Sequence, residues 1–146
     1  MASVAAALKE RGIAVTGSDK GIYPPMSTFL QERGIEVRPF DEANLAHQPD
    51  LVVVGNAISR GNPEAEYALE HKLDYCSLPE LLKHQFLRGK RTLVVSGTHG
   101  KTTTASLLAW LLEHNGLNPS FLIGGIPNNL GQGARFTDSD WFVLEG

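Results

Sequence analysis

Apolar residues fall along this chain in two rhythms. Continuous apolar, largely β-branched runs, as at 50–54 and 93–95, read as strands buried on both faces. Spacings of three and four, as in Val4 and Leu8 or in Leu107, Leu108, Leu111 and Leu112, read as one face of a helix. Together they predict helices over 2–11, up to Arg33, from Asn62, over 78–87 and over 102–115. They predict strands over 13–17, from Ile35, and over 50–54, 73–77, 93–95, 120–123 and 140–145.

The polar punctuation agrees. Arg11-Gly12-Ile13, Arg33-Gly34-Ile35 and Asn115-Gly116-Leu117 each read as a helix end, a glycine cap and a strand start. Asn62-Pro63-Glu64 joins a capping side chain, a proline at the first helical position and an acid in the first turn. Helices alternating with strands predict an α/β fold with parallel sheets. The first part reads as a Rossmann-like domain with one anomaly. A helix, a strand and the acid Asp19 are present, but the first strand and its glycine-rich turn, which open a doubly wound sheet, are not. Arg88-Gly89-Lys90-Arg91 reads as a junction, giving domains at 1–88 and 89–146. The strand over 140–145 stops one residue before the chain does, so both ends read as cut.

Composition narrows the class. The 146 residues carry a net charge of −3, 42% apolar and 20% charged residues, and no basic run long enough to suggest a nucleic-acid partner. No apolar stretch approaches a membrane span, and no signal pattern opens the chain. The single Cys76 fits a buried thiol in a reducing, cytoplasmic setting.

The chemistry gathers at 93–104. The run Leu93-Val94-Val95 ends at Ser96-Gly97, a small-residue turn carries Lys101, and an apolar helical pattern follows Thr102-Thr103-Thr104. Strand, glycine turn and helix in that order cradle phosphates: backbone N–H groups turn inward, and the helix N-terminus and the lysine add positive charge. Thr102 stands where a P-loop places its Mg²⁺-binding hydroxyl. The strict pattern would have glycine at Val95, so the first glycine of this loop is Gly97. Gly-Lys-Thr alone also suits an ordinary helix start with a solvated lysine. Glu145, ending a strand, is a candidate second metal ligand or a solvent-facing chain end. Asp19, also at a strand end, suits a nucleotide ribose or base, with Asn56, Ala57 and Ser59 on the opposite wall. Ser18-Asp19-Lys20-Gly21 is equally good turn chemistry. The loop 124–133 has too many glycines for a plain connector; it either approaches a ligand closely or is merely flexible.

Gly97-Thr98-His99-Gly100-Lys101-Thr102 resembles the phosphate loop of the Mur ligases, the ATP-dependent amide-forming enzymes of peptidoglycan synthesis. Thr16-Gly17-Ser18-Asp19, Asn56-Ala57-Ile58-Ser59, Asn62-Pro63-Glu64 and the strand ending at Glu145 resemble those of the muramate-using members. Tyr23-Pro24-Pro25-Met26-Ser27-Thr28 and Leu122-Ile123-Gly124-Gly125-Ile126-Pro127 resemble the member acting in peptidoglycan recycling. The resemblance implies a truncated UDP-binding domain over 1–88 and the start of a P-loop ATP-binding central domain over 89–146. It implies ATP and Mg²⁺ as cofactors, and UDP-N-acetylmuramic acid and a murein tripeptide as substrates, with L-alanine as the alternative amino substrate. A non-ligase P-loop protein is the other alternative. Gly97 through Thr103 would wrap the phosphates, Lys101 would hold the β- and γ-phosphates, and Thr102 and Glu145 would bind Mg²⁺. Asp19, Asn56, Ala57 and Ser59 would face the UDP part, Asn128 and Asn129 the muramoyl part, and His99 the substrate carboxylate. The amino-substrate domain of the family is not among these residues, so the resemblance implies that this polypeptide alone does not ligate.

Overall fold

The alanine-rich opening segment forms α1 (Ala2–Glu10), which buries Val4, Ala6, Ala7 and Leu8. In the computed structural model, which describes residues 1–146, the chain divides into two units, Met1–Leu81 and Leu82–Gly146.

In the first unit α1 is followed by β1 (Gly17–Ser18), α2 (Met26–Glu32) and β2 (Val37–Arg38). A 3-10 turn (Glu42–Leu45), β3 (Val52–Val54), α3 (Pro63–Glu70) and β4 (Tyr75–Ser77) complete it. Ala6, Leu30 and Ile35 form the centre of a core flanked by Val15, Phe29 and Val37. The glycine caps are real. At Gly12 and Gly34 the residue after the glycine donates its N–H to the carbonyl of Leu8 or Leu30, and the glycine itself sits at positive φ. A fourth cap of this kind was not legible as glycine: Lys72 takes φ 54°, and the Leu73 N–H bonds the Ala68 carbonyl. Asn62 caps α3 as predicted, its side chain accepting from the N–H groups of Glu64 and Ala65.

The strands differ from expectation. They form two separate two-stranded parallel sheets, β1–β2 and β3–β4. The strand predicted over 13–17 is reduced to Gly17–Ser18, and Ile13 is exposed. Val52–Val54 are half-buried and not fully buried. The reason is common to both. β1 and β3 each have a hydrogen-bonding neighbour on one side only, so neither gains the shielding of a central strand.

Between the units the helix predicted over 78–87 is α4 (Leu78–Leu82) running into a π-helical turn (Lys83–Leu87). The units part at Leu81/Leu82, before the predicted junction at 88/89. Phe86 of this turn packs on Phe136, with ring centres 4.4 Å apart and planes tilted by 44°.

The second unit contains β5 (Arg91–Val95), α5 (Lys101–His114), β6 (Ser120–Leu122), β7 (Ala134–Arg135) and β8 (Trp141–Glu145). Its sheet has the order β5-β8-β6-β7, with only β7 antiparallel. The two-residue β7 carries no apolar alternation and went unpredicted. α5 lies on one face of the sheet. Ala105 and Ala109, four apart and fully buried, bring its backbone close to Phe121, Ile123 and Val143.

Farther along α5, Glu113 accepts a hydrogen bond from Arg135 of β7 at 2.8 Å. That bond, ahead of the opposing effect of burial, holds the Glu113 carboxyl below its ordinary value of 4.5. A lowered folded value stabilises the unit above the unfolded value and is lost as pH falls through the folded one. Acid denaturation should therefore destabilise the wild-type unit more than Glu113→Gln below about pH 4.5. The difference should stay under about 1 kcal/mol, because Glu113 is 41% exposed and solvent screens the pair. Equal acid limbs in the two proteins would refute it.

Candidate functional site

Parallel pairing brings the ends of β5, β8 and β6 to one edge of the second sheet, because Val95 registers with Glu145 and Leu122 with Leu144. The Gly146 N–H donates to the Val95 carbonyl, extending that pairing by one step. Three segments meet there: the turn 96–100, Glu145, and the glycine loop after β6.

The turn is shaped for an anion. Gly97 and Gly100 take φ 151° and 73°, values that disfavour a side chain, and they curl the chain between β5 and α5. From Gly97 to Thr103 no backbone N–H meets an acceptor within the chain; the first one paired is Thr104, to the Gly100 carbonyl. No side chain caps α5. A row of free donors thus surrounds the positive end of a helix. Lys101, half-buried, makes no hydrogen bond or ion pair, so its ammonium is free for an incoming charge. Thr98, His99 and Thr103 are exposed, and His99 Nδ1 lies 3.2 Å from the Thr98 hydroxyl oxygen.

The predicted metal pair is in contact. The Thr102 hydroxyl donates to Glu145 Oε1 at 2.7 Å, and the Gly124 N–H donates to Oε2 at 2.7 Å. The hydroxyl proton is directed at the carboxylate, which leaves the lone pairs of the threonine oxygen as acceptors. Two hard oxygen donors, a hydroxyl and a carboxylate, suit Mg²⁺. Mg²⁺ takes one or two protein oxygens and completes its shell with water and phosphate. The residues therefore fit the ion that the loop pattern implies.

The glycine loop is neither a plain connector nor free. A side chain at Gly124 would lie 3.4 Å from the Glu145 carboxylate, and one at Gly125 would lie 3.4 Å from Thr102 Cγ2. Asn128 and Asn129 are exposed on this loop and make no bond to the turn 97–103. Sequence reasoning flagged the loop but missed its anchor, the Gly124 N–H. The only sequence signal for it was the run of glycines.

In the first unit Asp19 lines a cleft of about 550 Å³ with Ser27, Gln31 and residues 34–39. Asn56, Ala57 and Ser59 do not line this cleft; α2 and β2 do. They lie exposed in the turn after β3, which belongs to the other two-stranded sheet. The Asp19 carboxylate closes a turn, Oδ1 accepting from the Gly21 N–H at 3.1 Å, which is the plainer of its two readings. Glu64, read from sequence only as a helix-start acid, organises the neighbourhood. It accepts from the Ser18 hydroxyl and, at 2.7 Å, from the Asn44 amide.

A second cleft, of about 380 Å³, lies beside β1 and β2 and is lined by Thr16, Arg38, Asn44 and His47 among others. No helix of the chain is long and apolar enough to cross a membrane.

Comparison with known proteins places these features in a family. A profile described as "Mur ligase family, catalytic domain" matches residues 1–90. The chain is 55% identical over 146 residues to UDP-N-acetylmuramate–L-alanyl-gamma-D-glutamyl-meso-2,6-diaminoheptandioate ligase of Haemophilus influenzae, covering 99% of this chain and 32% of that protein. It is 39% identical over 145 residues to UDP-N-acetylmuramate–L-alanine ligase of Novosphingobium aromaticivorans, covering 99% of this chain and 30% of that one. Among solved structures, a murein peptide ligase from Psychrobacter arcticus superposes with a TM-score of 0.91 at 40% identity, covering 99% of this chain and 35% of that one. The chain thus spans about a third of the length of the curated relatives it matches. With a Rossmann-like α/β first unit, an extended family match and relatives aligned along nearly all its residues, this chain belongs to the Mur ligase family, whose members are ligases.

Proposed function

We propose that this chain supplies the nucleotide-handling part of an ATP-dependent ligase of peptidoglycan recycling. In this reading the ligase joins L-Ala-γ-D-Glu-meso-diaminopimelate to UDP-N-acetylmuramic acid. The observation that carries it is the row of unpaired N–H groups from Gly97 to Thr103, with Lys101 among them and the Thr102–Glu145 pair beside them. The peptide substrate is preferred to L-alanine because the relatives named for it are the more similar, 55% against 39% identical.

The second unit is the start of the ATP-binding central domain, and the first is the UDP-binding domain. The phosphate loop and Lys101 hold the nucleotide's phosphates. Thr102 and Glu145 hold Mg²⁺, which when bound neutralises phosphate charge. The γ-phosphoryl group passes to the muramate carboxylate, giving an acyl phosphate and ADP. The peptide's amine attacks the acyl carbon, the bond to phosphate oxygen breaks, inorganic phosphate leaves, and the amine gives up a proton. The protein's contribution is positioning and charge neutralisation. Asp19 is assigned to the uridine, with Asn56, Ala57 and Ser59 in the UDP-facing set. Asn128 and Asn129 are assigned to the muramoyl group, and His99 to its carboxylate. The setting is the cytoplasm, where ATP and UDP-linked sugars are held.

None of these residues is assigned to the amino substrate. Calorimetry should therefore show MgATP binding to the 146 residues, and a coupled ADP-release assay should show no turnover. Joined to the remaining length of a relative, they should release ADP with UDP-N-acetylmuramic acid and the tripeptide, and much more slowly with L-alanine. Failure to bind MgATP, or a preference for L-alanine, would overturn the respective part.

A further inference from the structure

Glu145 does more than face a cation. Its two carboxylate oxygens are taken by different elements: Oε1 by the Thr102 hydroxyl at the start of α5, and Oε2 by the Gly124 N–H at the start of the glycine loop, each at 2.7 Å. The loop runs beside this pair: a Cβ at Gly124 would lie 3.4 Å from Glu145 Oε2, and one at Gly125 3.4 Å from Thr102 Cγ2. Its base is closed as well. The Ile123 N–H donates to the Gly133 carbonyl at 2.7 Å, and a Cβ at Gly133 would come within 2.5 Å of the Gly125 carbonyl oxygen. The segment 124–133 is therefore a closed ring, seated on the phosphate site through one side chain.

We infer that Glu145 is a positioning residue that couples occupancy of the phosphate loop to the placement of the loop 124–133. The inference rests on the reading that residues 97–103 hold a magnesium nucleotide. The coupling is positive. The Thr102 hydroxyl keeps donating to Oε1 when its oxygen lone pairs take up a cation, so the arrangement that favours the cation is the one that holds Gly124. A nucleotide that fixes Thr102 and Glu145 fixes the loop. By reciprocity, a loop held in place strengthens nucleotide binding by the same factor.

Hydrogen exchange read by mass spectrometry tests this on the 146-residue chain, with magnesium and β,γ-imido-ATP as the probe and calorimetry alongside. At saturating probe, exchange across 124–133 should slow about fivefold or more, the lower end of common coupling factors. Glu145→Gln should remove the slowing at saturating probe, because the amide nitrogen that replaces one of the two carboxylate oxygens donates and cannot accept from Thr102 or Gly124. Gly133→Ala leaves Lys101, Thr102 and Glu145 unchanged but forces the loop base apart. It should remove the slowing and weaken the probe about fivefold, with folding checked by the fluorescence of Trp110 and Trp141. Probe binding with no change in loop exchange overturns the inference and leaves the nucleotide reading intact. So does wild-type probe affinity in a folded Gly133→Ala protein. No probe binding to the wild-type chain overturns both.

Discussion

Lys101→Ala should weaken MgATP binding about 100-fold while leaving the melting temperature of the chain unchanged. Both halves follow from the same fact. Lys101 makes no hydrogen bond or ion pair in the free protein, so its removal breaks nothing that holds the fold together. Its charge is balanced only when an anion arrives. A charge-assisted hydrogen bond contributes roughly 1.5–3 kcal/mol, and each 1.4 kcal/mol is about tenfold in affinity. A lysine bridging two phosphate groups therefore accounts for about two orders of magnitude. Lys101→Arg should recover only part of this, since a planar guanidinium replaces a compact point charge that the turn between Gly97 and Gly100 is shaped to present. Asp19→Ala, in the other unit, should leave MgATP affinity untouched. Equal affinities for wild type and Lys101→Ala in calorimetry would remove the phosphate loop from the proposed function.

What could be read from the sequence was whatever is local. The turn 96–100 is contiguous, and glycine, lysine and threonine at fixed spacing determine its shape wherever it sits. The caps at Gly12 and Gly34 were legible for the same reason. The cap at Lys72 was not, because a lysine held at φ 54° carries no composition signal. The pair of Thr102 and Glu145 was half legible. Each residue was picked for its place at an element end, but their contact depends on β5 and β8 being neighbours in register. The lining of the cleft beside Asp19 was not legible, because it depends on how strands are grouped. Strand order along the chain suggested one sheet, whereas β1–β2 and β3–β4 pair separately, which leaves Asn56, Ala57 and Ser59 away from the cleft. Strand lengths were overestimated at 13–17 for the related reason that apolar residues without a second neighbour do not extend a ladder.

Phe121→Ala should destabilise the second unit by about 3–5 kcal/mol, the usual cost of deleting a buried aromatic ring. Phe121 is fully buried on β6, between β8 and β7. The fully buried α5 residues in its cluster are Ala105 and Ala109, which are too short to fill the space a ring would leave, while Leu108 and Leu112 pack at the cluster's margin. Nor can the helix move in to close the gap. Its first turn is tied to β8 by the Thr102–Glu145 bond and its last turn to β7 by the Glu113–Arg135 pair. The Arg135 guanidinium, 5.0 Å from the Phe121 ring centre, would lose its aromatic partner as well. A loss of this size is comparable with the whole stability of many domains, roughly 5–15 kcal/mol. The measurement is direct, because both tryptophans, Trp110 and Trp141, lie in this unit and report its unfolding in urea. Leu107→Ala on the same helix is the control. Leu107 is 53% exposed, so its truncation should cost less than about 0.5 kcal/mol, as surface substitutions generally do. Because the ring lies behind the strand that leads into Gly124, Phe121→Ala should also lower nucleotide affinity under conditions where the unit is still mostly folded. A Phe121→Ala protein with wild-type urea midpoint would mean that α5 can close onto the sheet, and that the ties at its two ends are weaker than their geometry indicates.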